Sequence, residues 1–151
     1  MYRDKKNYFY YLTVTNERYV QPQKPKGKDV DSNIIKGMHR ISKTKKPQIR
    51  LLGSGAILNE SLKAAEILSD LGIESEVWSV TSFNMLRKDG MEVENENIKN
   101  PSNKAKESFV AESFKEHDIP TVASTDYMRA YSEQIRPYIN SSYYTLSLIH
   151  I

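Results

Sequence analysis

The stretch that decides the fold is Pro47–Val80, PQIRLLGSGAILNESLKAAEILSDLGIESEVWSV. Gln48 to Leu52 is a short apolar run of strand character. Gly53-Ser54-Gly55 follows and reads as a tight turn. Asn59 is a good N-cap, and Leu62, Ala65, Ile67 and Leu68 recur at helical spacing up to Leu71. Gly72 stands where a left-handed residue ends a helix. Ile73 to Val80 then alternates through Ile73, Ser75, Val77 and Ser79 before turning apolar. Strand, turn, helix, glycine, strand is one βαβ unit. It predicts an α/β domain with a parallel sheet and a right-handed crossover.

Working outward toward the C-terminus, Ser82 to Leu86 opens a helix, and the polar run Asp89 to Asn103 reads as a loop. Lys104 to His117 is amphipathic, with Phe109, Val110 and Phe114 facing inward. Pro120 to Ser124 is a third short buried strand. Asp126 to Tyr138 reads as a helix that Asp126 caps, that turns Tyr127, Ala130, Tyr131, Gln134 and Ile135 to related faces, and that Pro137 ends.

Toward the N-terminus, Lys43 to Lys46 is a basic turn. Ile34 to Ile41 is helix or strand, with Asp31-Ser32-Asn33 as its cap and Gly37 weighing against a helix. Asn16 to Asp31, with Pro22, Pro25 and Gly27, is a linker. Before it lies Tyr8 to Thr15 (YFYYLTVT), aromatic and β-branched, which reads as a strand buried on both faces. One such strand needs neighbours for its ladder, so it is expected to belong to a sheet of a larger protein.

The 151 residues contain no cysteine, which excludes a disulfide framework, a thiolate nucleophile and cysteine-ligated metal. A net charge of +3 without a clustered patch argues against nucleic acid. No apolar run approaches a membrane span, and the basic start lacks the apolar core of a signal peptide. His39, His117 and His150 have no partners at metal-ligand spacing. Gly53-Ser54-Gly55 invites a phosphate-binding reading, but the third glycine of a dinucleotide fingerprint is missing at Leu58, and a bare strand-to-helix turn is favoured. Ser54 is not in a nucleophile elbow. Trp78 reads as core or interface, and Lys24–Lys28 and Lys43–Lys46 as solvated charge. From the residues alone the chain is an α/β domain with an upstream strand and linker and no self-contained active site.

Four stretches in order carry a resemblance: Tyr8–Tyr19 (YFYYLTVTNERY), Gln48–Leu58 with Ala64–Leu68 (QIRLLGSGAIL…AAEIL), Val77–Phe83 (VWSVTSF) with Asp89-Gly90, and Val122–Arg136 (VASTDYMRAYSEQIR). Together they resemble the homodimeric-type pyruvate dehydrogenase component of bacterial pyruvate dehydrogenase complexes, which is a transketolase-like family. The resemblance covers nearly all of residues 8 to 146. It implies an oxidoreductase with three α/β domains per chain, thiamine diphosphate and Mg2+ as cofactors, and decarboxylation of pyruvate. The acetyl group passes to a lipoyl group on a dihydrolipoyl acetyltransferase partner, in the bacterial cytoplasm.

On that resemblance, residues 1–20 end the pyrimidine-binding middle domain, 21–46 form a linker, and 47–146 form a truncated transketolase C-terminal-like domain with a mostly parallel sheet flanked by helices. Leu146–Ile151 matches what a sequencing adapter encodes, so 147–151 are expected to lie outside the natural sequence. The family's magnesium motif, its activating glutamate and its active-site histidines have no counterpart in this chain. The expectation is therefore a structural, dimer-supporting part that binds no cofactor and is inactive alone. Asn16, Glu17 and Tyr19 follow a strand end and are candidates to line the substrate channel of the intact enzyme, with a loop-capping role equally open. Arg18 departs from the family's usual Asn-Glu-Asn-Tyr at this point. Two alternatives stand beside this reading: a stand-alone α/β interaction module, and a fragment of a transketolase or 2-oxoglutarate dehydrogenase.

Overall fold

A computed structural model describes Asn7 and residues 18–147. Its elements run α1 (Val30–Lys36), β1 (Met38–Ser42), β2 (Ile49–Ser54), α2 (Ile57–Asp70), β3 (Ser75–Val80), α3 (Phe83–Lys99), α4 (Phe109–Phe114), β4 (Thr121–Thr125), α5 (Arg129–Glu133), a 3-10 turn (Arg136–Tyr138) and β5 (Tyr143–Ser147). The strands form one sheet in the order β1-β3-β2-β4-β5, parallel except for β1, which runs antiparallel to β3. The strand Tyr8–Thr15 expected from sequence lies outside the described residues.

Alternation within each strand splits the apolar residues between two faces. Leu51 and Val77 join Leu58 of α2 in one cluster, with Leu62, Ala65 and Leu68 packed against it. Leu52, Trp78, Val80 and Ala123 point the other way, into a cluster with Phe83 and Leu86 of α3, Val110 and Phe114 of α4, Ile135 and Tyr143. The result is a three-layer α/β/α sandwich. The βαβ unit read from Pro47–Val80 is present as β2-α2-β3.

Several boundaries differ from the sequence reading, each for an identifiable reason. Gly53 and Ser54 are the last residues of β2 rather than part of a turn. A side chain at Gly53 would stand 2.6 Å from Leu58 Cα and 2.8 Å from Ser61 Oγ, so this glycine admits α2 against the sheet. Gly55 alone takes the left-handed turn conformation, at φ +60°. Helix α2 begins at Ile57, which places Asn59 inside it and not at its cap. Gly72 does end it, at φ +77°.

The polar run expected as a loop from Asp89 is helical through Lys99. Gly90, which looks like a breaker, is where the Tyr138 ring lies on the helix: a Cβ there would meet ring carbons at 2.2–2.6 Å. The helix expected over Asp126–Tyr138 is instead two short pieces, α5 and the 3-10 turn. Asp126 does not cap α5, whose N-cap is Met128. The amphipathic run before β4 is helical over Phe109–Phe114, capped by Ser108 Oγ accepting from Ala111 N. Ile34 to Ile41 resolves into both alternatives, with Gly37 at φ +118° separating α1 from β1.

Candidate functional site

Ligands of open parallel sheets usually sit beyond the carboxyl ends of the strands. In this sheet that edge is made of Ser54-Gly55, Thr81-Ser82, Thr125-Asp126 and Ser147. Most of these groups have structural partners. Ser82 Oγ accepts from Met85 N and caps α3, and Thr81 Oγ1 donates to Ile34 O. Thr125 Oγ1 accepts from Tyr127 N, and Ser147 Oγ donates to Tyr127 O. Beside them an apolar patch is exposed, with Tyr127 and Tyr131 stacked at 5.2 Å between ring centroids.

The stretch Val122–Arg136 bonds to the last strand of the sheet. Glu133 accepts from Arg136 Nε at 2.6 Å and from the Thr145 hydroxyl, while Arg129 Nε donates to Thr145 Oγ1 at 2.9 Å. Arg136 Nη1 donates to Tyr143 O, and the buried Tyr143 hydroxyl donates to Ser132 O at 2.6 Å. These bonds latch β5 to α5. Arg136 above all, then Thr145 and Arg129, hold the Glu133 carboxyl down at about 2 despite its partial burial. Burial, with the Glu133 charge nearby, pushes the Tyr143 hydroxyl well above the ordinary phenol range.

The amino ends of the strands hold the densest charge in the described residues. Arg50 of β2 and Glu76 of β3 occupy paired positions in the ladder and are both almost fully buried. Arg50 Nε donates to Glu76 Oε1, Nη1 to Thr121 Oγ1 at 3.2 Å and Nη2 to His117 O at 2.9 Å. The guanidinium lies 3.9 Å from the Phe114 ring centroid. Burial lowers its affinity for the proton, and Glu76 opposes that shift. The network continues outward through Arg40, 3.6 Å from Glu76 Oε2 and 3.3 Å from Glu116 Oε2, to Lys43 at 3.3 Å from Glu116 Oε1. Hydrogen bonds from Arg40 and Lys43 hold the Glu116 carboxyl below its ordinary value.

Next to this network is a cleft of about 470 Å³ with Arg50, Phe114 and Tyr138 among its walls and Glu94, Lys106 and Asp118 among its lining residues. Its cations are engaged: Lys106 pairs with Glu96 at 2.6 Å, and Lys115 with Glu107 at 2.8 Å. The arrangement ties four strands together.

Of the residues singled out from sequence, Ser54, Gly55 and Asp126 share the carboxyl edge, where a Cβ on Gly55 would stand 3.8 Å from Asp126 Oδ1, and His117 and Lys43 join the amino-end network. Asn16 and Glu17 lie outside the described residues, as does His150. Tyr19 is exposed. His39 is buried on β1, which pushes its imidazole pKa down. His117 lies in the loop before β4 and contributes its carbonyl to Arg50. Trp78 is core, edge-on to Phe114. Lys24 pairs with Asp31, and Lys43 with Glu116.

Sequence reasoning missed the Arg50–Glu76 pair. The available signal was one charge of each sign inside two otherwise apolar strands, QIRLL and ESEVW.

Among the described residues no group of three or more histidines or carboxylates is placed to hold a metal such as Mg2+. The space at Gly53 that a phosphate cradle would need is filled by Leu58 and Ser61. No described helix is long and apolar enough to cross a membrane.

The pyruvate dehydrogenase E1 component of Pseudomonas aeruginosa is 47 % identical over 148 residues, covering 95 % of this chain and 17 % of that protein. The pyruvate dehydrogenase E1 component of Cupriavidus necator is 42 % identical over 151 residues, covering 97 % of this chain and 17 % of its own length. A transketolase from Pichia stipitis, solved with sedoheptulose 7-phosphate, aligns at a TM-score of 0.49 and 15 % identity, over 78 % of this chain and 14 % of that one. This chain thus spans about one sixth of the curated relatives it matches, at their C-terminal portion. A family model described as "Transketolase-like TK C-terminal domain" matches residues 37–148, which cover α/β/α sandwich and latch alike. The chain belongs to the transketolase-like TK C-terminal domain family.

Proposed function

We propose that this chain is the C-terminal, architectural part of the pyruvate-decarboxylating component of a bacterial pyruvate dehydrogenase complex. The observation that carries the reading is 47 % identity over 95 % of the chain to a protein named pyruvate dehydrogenase E1 component. In this proposal the longer enzyme is a cytoplasmic homodimer. It uses thiamine diphosphate and Mg2+ held by parts of the polypeptide that these 151 residues do not span, and it passes acetyl groups to a dihydrolipoyl acetyltransferase. The chain's own groups do structural work: Arg50 and Glu76 join the sheet at one end, and Arg129, Glu133 and Arg136 fix its last strand.

The proposal closes the preceding domain with residues 1–20 and counts α1 and β1, read from sequence as part of a linker ending at residue 46, with the C-terminal domain, because β1 pairs with β3. Asn16, Glu17 and Tyr19 line the substrate channel of the intact enzyme. Turnover of pyruvate that survives alanine at all three positions, in a full-length chain, refutes that role.

A domain exchange tests the main claim. The matching C-terminal segment of the Pseudomonas aeruginosa enzyme is replaced by this chain. The chimera is expected to oxidise pyruvate, and the 151-residue chain alone to show neither turnover nor thiamine diphosphate binding by calorimetry. A chimera that assembles but does not turn over, or a lone chain that does, overturns it.

A further inference from the structure

The cleft beside the Arg50–Glu76 network has no task in the proposed function. It encloses about 470 Å³, within the range of small-molecule sites. Helix α3 gives it Val93, α4 gives it Phe114, and the turn after α5 gives it Pro137, Tyr138 and Ile139. An apolar body therefore meets aliphatic and aromatic walls. Those walls are fixed in advance. The Tyr138 ring lies on Gly90, and Phe114 is held by Trp78 edge-on and by the Arg50 guanidinium.

The charges of the lining decide which head group the cleft suits. Each cation has a carboxylate of its own: Arg50 has Glu76, Lys106 has Glu96 at 2.6 Å and Lys115 has Glu107 at 2.8 Å. An anionic ligand has to break one of these pairs. Glu94 of α3 and Asp118 after α4 have no ion pair or hydrogen bond with any described residue. Their charges are felt inside the cleft. Burial, and then Glu94, push the Tyr138 phenol up, and Asp118 joins Glu76 in opposing the effect of burial on Arg50. The uncompensated charge of the lining is thus negative, opposite in sign to the +3 of the whole chain.

We propose that the cleft between α3, α4 and Tyr138 binds a small organic ammonium compound, its apolar body against Phe114, Tyr138 and Ile139 and its cationic head neutralised by Glu94 and Asp118. This inference stands apart from the proposed function, since neither a cofactor nor a reaction enters it.

Three probes that share one apolar body and differ in head group test it on the full 151-residue chain. They are 2-phenylethylamine, 2-phenylethanol and 3-phenylpropionate, each titrated while backbone amide resonances are followed by NMR. The amine is expected to saturate shifts at Val93, Ala111 and Ile139 with a Kd of about 1 mM or tighter. The alcohol is expected to bind about tenfold more weakly, and the anion more weakly still. Glu94→Gln with Asp118→Asn is expected to weaken the amine about tenfold and to leave the alcohol unchanged. Amides of β2 and β3 report that the variant remains folded. Should it unfold, Glu94→Gln alone decides, with a loss of about threefold. Equal affinities for amine and alcohol, or an amine affinity that the folded variant retains, overturn the proposal. So do tighter binding of the anion, amine shifts confined to residues outside the cleft, and an amine titration that does not saturate below about 10 mM.

Discussion

Replacing Glu76 with leucine separates the cost of burying a charge from the value of the pair it forms. Glu76 is the anionic partner of Arg50, and both are almost fully buried. Without it the guanidinium keeps Thr121 Oγ1, the His117 carbonyl and the Phe114 ring, all uncharged. Arg40 also loses its 3.6 Å contact, although Glu116 still serves it. Stranding one member of a buried pair typically costs about 3–5 kcal/mol. With a urea slope of about 2 kcal/mol per molar, a loss of ~4 kcal/mol lowers the unfolding midpoint by roughly 2 M. The double variant Arg50→Leu with Glu76→Leu removes both charges and is expected to recover to within about 2 kcal/mol of the parent, since apolar replacements of buried pairs are often near neutral. Equilibrium urea unfolding followed by Trp78 fluorescence measures all three chains. A Glu76→Leu loss below about 1 kcal/mol, or a double variant as weak as the single, refutes the account of the pair.

Four further expectations follow from particular positions. Gly53→Ala forces a Cβ to within 2.6 Å of Leu58 Cα and is expected to cost about 1–3 kcal/mol in thermal or urea unfolding. Gly72→Ala meets no neighbour but strains φ +77°, so its cost is smaller, about 1 kcal/mol. The Glu133 carboxyl is held down at about 2 in the folded chain against 4.5 ordinarily. Its contribution is therefore complete above pH 4.5 and lost as pH falls through about 2, and Glu133→Gln flattens the stability profile across that window relative to the parent. Ser82→Ala removes the hydroxyl that accepts from Met85 N and is expected to cost ~1 kcal/mol, with amide exchange rising in the first turn of α3.

How far the sequence reveals this molecule depends on which force shapes each element. The β2-α2-β3 unit is legible because burial writes its period directly into Leu51, Leu52, Val77 and the stripe Leu58, Leu62, Ala65, Leu68. The second half of α3 is not, because its outward turns are polar and its one packing signal is an absent side chain, Gly90 beneath Tyr138. The same holds for Gly53: a glycine after an apolar strand suggests a turn, and the tertiary approach of Leu58 that explains it is invisible in one dimension. The region after β4 misleads in the other direction. Helical spacing of Tyr127, Tyr131 and Ile135 is present, yet only Ile135 of these is buried, and Arg129, Glu133 and Arg136 bond to β5 across the chain. The Arg50–Glu76 pair was readable only by treating two opposite charges in neighbouring apolar strands as one event.

The latch between α5 and β5 has a consequence for how such proteins are recognised. The run Val122–Arg136 carries part of the resemblance, and its Arg129, Glu133 and Arg136 serve as fasteners. A fingerprint made of fasteners reports that a body plan is present and is silent about whether a reaction runs. Descendants that shed their chemistry while keeping the frame would carry it unchanged.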